Sequence, residues 1–331
     1  MPISPAEIVP EAVLAEHSAV SPSQRLVAHL RITRLDHSIK QAFILPGIVL
    51  AMALSGRHFS WPLIVNIVVG MIAATLISSS NYVLNEMLDA PFDRLHPTKS
   101  NRPAALGLVH FGWGYVQWIG MMLAGIALAR TITVGFTLSA LALWVMGCIY
   151  NIAPIRSKDL PYVDVLSESV NNPLRFSLGW YMVTAAMLPP VSLLLSYWML
   201  GAYFMALKRF SEYRQIANHT VAASYRKSFH YYSQESLLNS VVFYAATSML
   251  FFGAFIMRYR IELILAFPFV ALLMAIYFGL AFHHESAVQN PEKLYREPGL
   301  MAALVLCIVV FVVLLFVNLP WLAPLFPQSH P

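Results

Sequence analysis

Charge is what this chain has least of. Asp, Glu, Lys and Arg make up 11% of its 331 residues, whereas hydrophobic residues make up 58%. A soluble domain carries about 25% charged residues, so this composition implies an integral membrane protein. Cysteine is nearly absent. Cys148 and Cys307 both lie inside apolar runs, which excludes a disulfide framework or zinc-type spacing and leaves them as packing residues. A cationic start is missing as well. Residues 1–24 hold Glu7, Glu11 and Glu16 with several prolines, so they do not read as a signal peptide and are expected to form a mobile tail. No internal repeat is visible, which argues against a transporter or a scaffold that uses a cavity without chemistry. The formal net charge is +5, yet it does not imply a nucleic-acid partner, because the basic residues gather between hydrophobic runs as a topology signal does.

Nine apolar segments reach spanning length: 37–57, 62–86, 105–129, 133–152, 163–187, 189–207, 238–256, 260–282 and 299–320. Sixteen Lys and Arg residues fall on one side of this arrangement: Arg25, Arg31, Arg34, Lys40, Arg94, Lys99, Arg102, Arg156, Lys158, Lys208, Arg209, Arg214, Arg226, Lys227, Lys293 and Arg296. Only Arg57, Arg130, Arg258 and Arg260 fall on the other, and Arg175 lies within a span. The positive-inside rule therefore expects the N-terminus inside, the C-terminus outside, and the polar loops facing the cytoplasm from the inner (cytoplasmic) membrane. The expected organisation is a tail over 1–24, a single transmembrane domain over 25–322 and a C-terminal tail over 323–331. The connection 208–237 is a candidate interfacial helix. Its Asn218-His-Thr220 sequon carries no meaning on a cytoplasmic face. His283 and His284 point about 100° apart on a helix and are read as interface residues, not a metal pair.

The second apolar segment runs into Asn81-Tyr-Val-Leu-Asn85-Glu86-Met-Leu-Asp89-Ala-Pro-Phe-Asp93-Arg-Leu-His96-Pro-Thr-Lys99-Ser-Asn-Arg102. Asn81, Asn85, Asp89 and Asp93 are four apart, so on a helix they drift only about 40° per step and share one face. Two amides and two carboxylates on a stripe at a membrane boundary are costly to leave bare in lipid. Carboxylates that can hold a hard divalent cation stand directly before His96, Lys99 and Arg102, which can hold phosphate oxygens. Together they suit a diphosphate.

A second polar constellation follows at Tyr150-Asn-Ile-Ala-Pro-Ile-Arg156-Ser-Lys158-Asp-Leu-Pro-Tyr162-Val-Asp164-Val-Leu-Ser-Glu168-Ser-Val-Asn171-Asn172-Pro-Leu-Arg175. Asp164, Glu168, Asn172 and Arg175 again share a helical face. Pro161 suits the first turn of that helix and Pro173 is expected to bend it. If the two polar helices face each other, carboxylates line both walls of a polar cavity. The competing reading pairs Asp164 with Arg175 as a packing ion pair, and reads Lys208 and Arg209 as topology charges.

At these residues the chain resembles the UbiA superfamily of intramembrane transferases. Asn85-Glu-Met-Leu-Asp89-Ala-Pro-Phe-Asp93 is similar to that family's first signature, and Tyr150 to Asp164 to its second. Within the superfamily, His96-Pro-Thr-Lys99-Ser-Asn-Arg102-Pro, the interval from Asp164 to Arg175, the Lys40 region and Lys208-Arg209-Phe-Ser-Glu212 resemble decaprenyl-phosphate phosphoribosyltransferases. Glu86 stands where the family usually has Asp, and Asn151 replaces a common Ser.

The resemblance implies an all-α integral membrane fold of nine transmembrane helices around a central polar cavity opening to the cytoplasmic side. It implies Mg²⁺ held by Asn85, Glu86, Asp89 and Asp93, with Asp164 completing the metal site from the facing helix. Asp89, Asp93, Lys158 and Asp164 are the expected catalytic set. Lys99, Arg102 and Lys158 would neutralise the leaving diphosphate, with Asn81, Tyr150 and Arg156 as further substrate-binding candidates. Lys40, Arg175 and Lys208 are candidates for the acceptor phosphate or a donor 5-phosphate. The expected reaction moves phosphoribose from phosphoribosyl diphosphate to a polyprenyl phosphate. The alternative moves a polyprenyl group from its diphosphate to an aromatic or other small acceptor. Expected partners are thus a diphosphate donor, a lipid acceptor and membrane lipid, with a homo-oligomer left open.

Overall fold

The computed structural model describes residues 21–94, 99–216, 227–283, 286–289 and 291–326. His96, Asn218, Arg226 and His284 lie outside them. Every regular element among the described residues is helical. In chain order the α-helices are α1 (Pro22–Arg31), α2 (Leu45–Ser55), α3 (Trp61–Asp93), α4 (Phe111–Ala129), α5 (Val134–Asn151), α6 (Val163–Ser169), α7 (Asn171–Val183), α8 (Val191–Gln215), α9 (Gln234–Tyr259), α10 (Phe267–Leu280) and α11 (Pro298–Phe316).

Seven helical segments are long and apolar enough to cross a membrane: α3, α4, α5, α8, α9, the stretch Ile261–Leu280 that ends in α10, and α11. The two remaining expected spans are broken. The first is a 3-10 stretch, Leu35–Ile44, running into α2. The fifth splits at Val170 into α6 and α7. Pro173 explains the split, because its ring nitrogen cannot donate to the carbonyl four residues back, so the expected bend becomes a break. Pro161 lies just before α6, not in its first turn. Helix α1, capped by Ser21 with a reciprocal Gln24 bond, starts inside the expected tail 1–24.

Helix α3 positions the site. Its 33 residues extend about 50 Å, whereas a hydrocarbon core needs only about 20 residues. Counted from Trp61, that length is used up near Ser80, so Asn81 to Asp93 stand on the projecting end. Small buried residues, Gly70, Ala73, Ala74 and Ser78 to Ser80, let neighbouring helices approach α3 closely. Close backbone approach is strictest where α2 crosses α7. A Cβ on Gly47 would lie 2.0 Å from the Phe176 carbonyl oxygen, and one on Gly179 would lie 2.1 Å from that of Ile44. One apolar core joins α2, α3, α5 and α7. Another is built on α8, α9 and α10.

Candidate active site

Helix α5 ends at Asn151, and the chain then turns back over the projecting end of α3. Two residues in the left-handed region, Arg156 (φ 31°) and Tyr162 (φ 63°), flank the short 3-10 turn Ser157–Asp159. Such conformations are costly for residues with side chains and concentrate at functional sites. The turn is tied to α6 by the Ser157 hydroxyl donating to Ser167 at 2.8 Å. It thereby delivers Lys158, a buried cation, onto the stripe.

Asp89 is the hub. Its Oδ1 accepts from Lys158 Nζ at 2.6 Å and from Arg156 at 2.9 Å, and its Oδ2 accepts from Asn85 Nδ2 at 3.1 Å. Asn151 Oδ1 accepts from Asn85 Nδ2 at 2.6 Å and from Lys158 Nζ at 2.8 Å, closing a ring of Asn85, Asp89, Lys158 and Asn151. Tyr150 lies under the ring, with Lys158 Nζ 5.8 Å from its centroid. One turn on, Asp93 Oδ2 accepts from Arg102 at 2.6 Å. The Arg102 backbone N–H donates to the Lys99 carbonyl at 3.0 Å, so both cations belong to one turn at the end of the stripe. Charge-assisted bonds this short mark carboxylates held firmly by cations.

Three expected residues are placed differently. Glu86 turns away from the stripe, as its neighbouring position dictates, and its buried carboxylate accepts from the Ala104 N–H at 3.4 Å. It braces the turn that carries Arg102. Asn81 donates to the Leu143 carbonyl at 2.9 Å and presses on Gly147, a helix-packing use. Asp164 does not join Asp89 and Asp93. Fully buried, it accepts from Tyr232 at 2.7 Å and from Arg209 and Ser228, both at 3.2 Å. A carboxylate with no exposure needs a cation and donors, and Arg209 meets that need from α8, not Arg175 from α7. Burial, and then the adjacent Asp164 charge, push the Tyr232 phenol upward, which keeps it a hydrogen-bond donor at neutral pH.

A third group of charges lies beside Tyr82 of α3, three residues before Asn85 on the same helix. Lys40 Nζ lies 5.8 Å from the Tyr82 centroid and 3.8 Å from Glu168. Lys208 lies 3.9 Å from Glu212, and buried Arg175 leaves its Nε without a partner. A groove of about 400 Å³ lined by Tyr162, Ser236, Asn239, Ser240, Phe243 and Tyr244 lies elsewhere, beside α9, and does not touch the stripe.

The sequence reading gave Asn151 no role and Arg209 only that of a topology charge. Asn151 ends a helix beside a cationic loop, which is a usable signal. Arg209 sits next to Lys208 at a helix end, where topology charges also gather.

Among the described residues no three His, Cys, Asp or Glu side chains form a ready-made metal cage. The oxygens on the stripe are hard donors: the Asn85 amide and the Asp89 and Asp93 carboxylates. Mg²⁺ is usually held by one or two carboxylates plus phosphate oxygens and water, so this sparse set fits it.

The model of the UbiA prenyltransferase family matches residues 43–297, which is most of the chain and takes in both polar constellations. The chain belongs to the UbiA prenyltransferase family. It is therefore a membrane-embedded transferase, consistent with the seven candidate spans. It is 28% identical over 242 residues to a decaprenyl-phosphate phosphoribosyltransferase of Mycolicibacterium smegmatis, covering 71% of each chain. It is 27% identical over 191 residues to the Corynebacterium glutamicum enzyme of the same name, spanning 53% of this chain and 51% of that one. Among solved structures, a UbiA homolog from Archaeoglobus fulgidus bound to GPP and Mg²⁺ superposes with a TM-score of 0.63 at 19% identity, covering 88% of this chain and 100% of that one. A digeranylgeranylglyceryl phosphate synthase gives 0.59 at 14% identity, covering 88% and 97%. These structural likenesses establish the fold.

Proposed function

We propose that this UbiA transferase moves phosphoribose from phosphoribosyl diphosphate to a polyprenyl phosphate at the cytoplasmic face of the membrane. The observation that carries the reading is the presence of two separate cation groups. Arg156, Lys158 and Arg102 grip the carboxylates of α3, while Lys40, Arg175 and Lys208 stand apart from them around Glu168. A prenyl diphosphate has one polyanionic end, which the first group alone can serve. A phosphosugar diphosphate carries a second phosphate at the far end of the ribose, and the second group answers it. The identity with two decaprenyl-phosphate phosphoribosyltransferases supports the same choice.

Asn85, Asp89 and Asp93 would hold Mg²⁺, which when bound supplies charge neutralisation at the diphosphate oxygens. Lys158 keeps its positive charge while it donates to Asp89 and Asn151, and that charge stands beside the leaving group. Arg156 and Arg102 retain guanidinium N–H groups for phosphate oxygens. As the ribose C1–O bond breaks and the electron pair leaves with diphosphate, these cations meet the charge where it develops. An oxygen of the acceptor phosphate forms the new C1–O bond. That oxygen is already anionic at neutral pH, so no side chain has to remove a proton. Asp164, locked to Arg209 and Tyr232, orients the loop after α5 and α6 from behind.

Calorimetry on the purified protein with Mg²⁺ tests the donor. Saturable binding of phosphoribosyl diphosphate, reduced about ten- to a hundred-fold in Lys208→Ala while inorganic diphosphate binds as before, is the expected result. Saturable binding of a prenyl diphosphate with none of the phosphosugar would replace this reading with prenyl transfer.

A further inference from the structure

Glu168 sits where a phosphate site should not want a carboxylate. Its side chain is 25% exposed, and Lys40 approaches it at 3.8 Å, an ion-pair distance too long for a hydrogen bond. Lys40, Arg209, Lys208 and Arg175 all lie within electrostatic reach of it. Arg209 is already committed to Asp164 and Glu212. The other three form no hydrogen bond among the described residues, and Arg175 is 7% exposed with its Nε orphaned. A buried guanidinium N–H without a partner is expensive. The arrangement is therefore three cations that form no hydrogen bond around Glu168, which accepts none among the described residues. Lys208 also leans on Glu212 at 3.9 Å, and Lys40 lies over the Tyr82 ring of α3. Had these cations and Glu168 been a structural salt-bridge network, contacts near 2.8 Å would be expected, as Asp89 and Asp93 show.

Anion and hydroxyl donors together would satisfy both halves. Cations take phosphate oxygens, and a carboxylate, an acceptor only, takes O–H groups. A prenyl diphosphate or a lipid phosphate brings oxygens and no hydroxyl. A lone carboxylate beside such a ligand only repels it. We infer that Glu168 is a specificity-determining residue that accepts hydrogen bonds from sugar hydroxyls while Lys40, Arg175 and Lys208 hold the sugar's phosphate, so that the site selects a phosphosugar over a hydroxyl-free phosphate. This rests on the phosphoribosyl reading above and names the group within the donor that Glu168 reads.

The test is calorimetric titration of the purified full chain with two probes: ribose 5-phosphate, and tetrahydrofurfuryl phosphate, the same skeleton without its hydroxyls. The unmodified protein binds ribose 5-phosphate at least about ten-fold more tightly, the size expected for hydrogen bonds to a charged acceptor. Glu168→Gln, which keeps shape and one acceptor oxygen, shrinks that preference, and Glu168→Ala erases it. In both variants tetrahydrofurfuryl phosphate binds as well as before or more tightly, since a repelling charge has gone. Equal affinity for the two probes in the unmodified protein overturns the inference. So does equal tightening of both probes in both variants, which marks Glu168 as a counter-charge only. If phosphoribosyl diphosphate is still turned over in that case, the inference alone fails. If no phosphosugar binds while geranyl diphosphate does, the donor assignment beneath it fails.

Discussion

Replacing Asp89 with Asn isolates the charge at the centre of the ring. Asp89 accepts three hydrogen bonds, two of them from the cations Lys158 and Arg156 at 2.6 and 2.9 Å. Asparagine keeps the shape but offers one acceptor oxygen and turns an N–H₂ toward a donor, so one cation or Asn85 loses its partner. Removing one side of a fully buried ion pair costs about 3–5 kcal/mol. Asp89 and Arg156 are 19% and 18% exposed, and solvent relieves part of that, leaving a loss on the order of 1–2 kcal/mol. Activity should fall much further. Disturbing even an outer partner of a metal site costs about 10- to 100-fold, so under the proposed Mg²⁺ role, losing the anionic charge of a direct ligand should exceed about 100-fold. A second change, Asp89→Asn with Lys158→Met, removes the stranded ammonium. The double variant should regain most of the thermal stability in detergent and none of the turnover. Recovery of turnover along with stability would refute the assignment, because it would make Asp89 merely the partner of Lys158.

Asp164→Asn or Arg209→Met alone should cost about 3–5 kcal/mol in denaturant unfolding, since each strands a charge in a site with almost no exposure. The double change to Asp164→Leu and Arg209→Met should recover much of it, and additivity of the two single costs would contradict the pairing. Gly147→Ala places a Cβ 2.2 Å from the Asn81 side chain, so thermal unfolding should show a loss of about 1–3 kcal/mol; a neutral result would mean that α3 and α5 do not pack as described. A cysteine introduced at Ser100, in the turn that carries Lys99 and Arg102, should react with an impermeant thiol reagent only from the cytoplasmic side. Labelling from outside intact cells would invert the topology.

The stripe on α3 was legible because four residues at a spacing of four need only one assumption, that the helix continues past the apolar run. It does, as far as Asp93. The cations on Asp89 and Asp93 were legible only as nearby basic residues, since which one reaches which carboxylate depends on the turn after α5 and on left-handed Arg156. Asp164 was misplaced for a physical reason. Helical spacing says which face a residue shares along its own segment, but nothing about the element opposite. Arg209 and Tyr232, 45 and 68 positions away, are invisible to it. The broken fifth span was partly legible in Pro173 and the polar run before it, although composition alone reads it as one continuous crossing.

The most direct measurement uses purified protein, phosphoribosyl diphosphate labelled in the ribose, and a polyprenyl phosphate in detergent, followed by extraction into organic solvent. Label should enter the lipid phase with release of diphosphate, only when Mg²⁺ is present, and EDTA in excess should stop it. Label that stays in water while a prenyl diphosphate is consumed under the same conditions would contradict phosphoribosyl transfer.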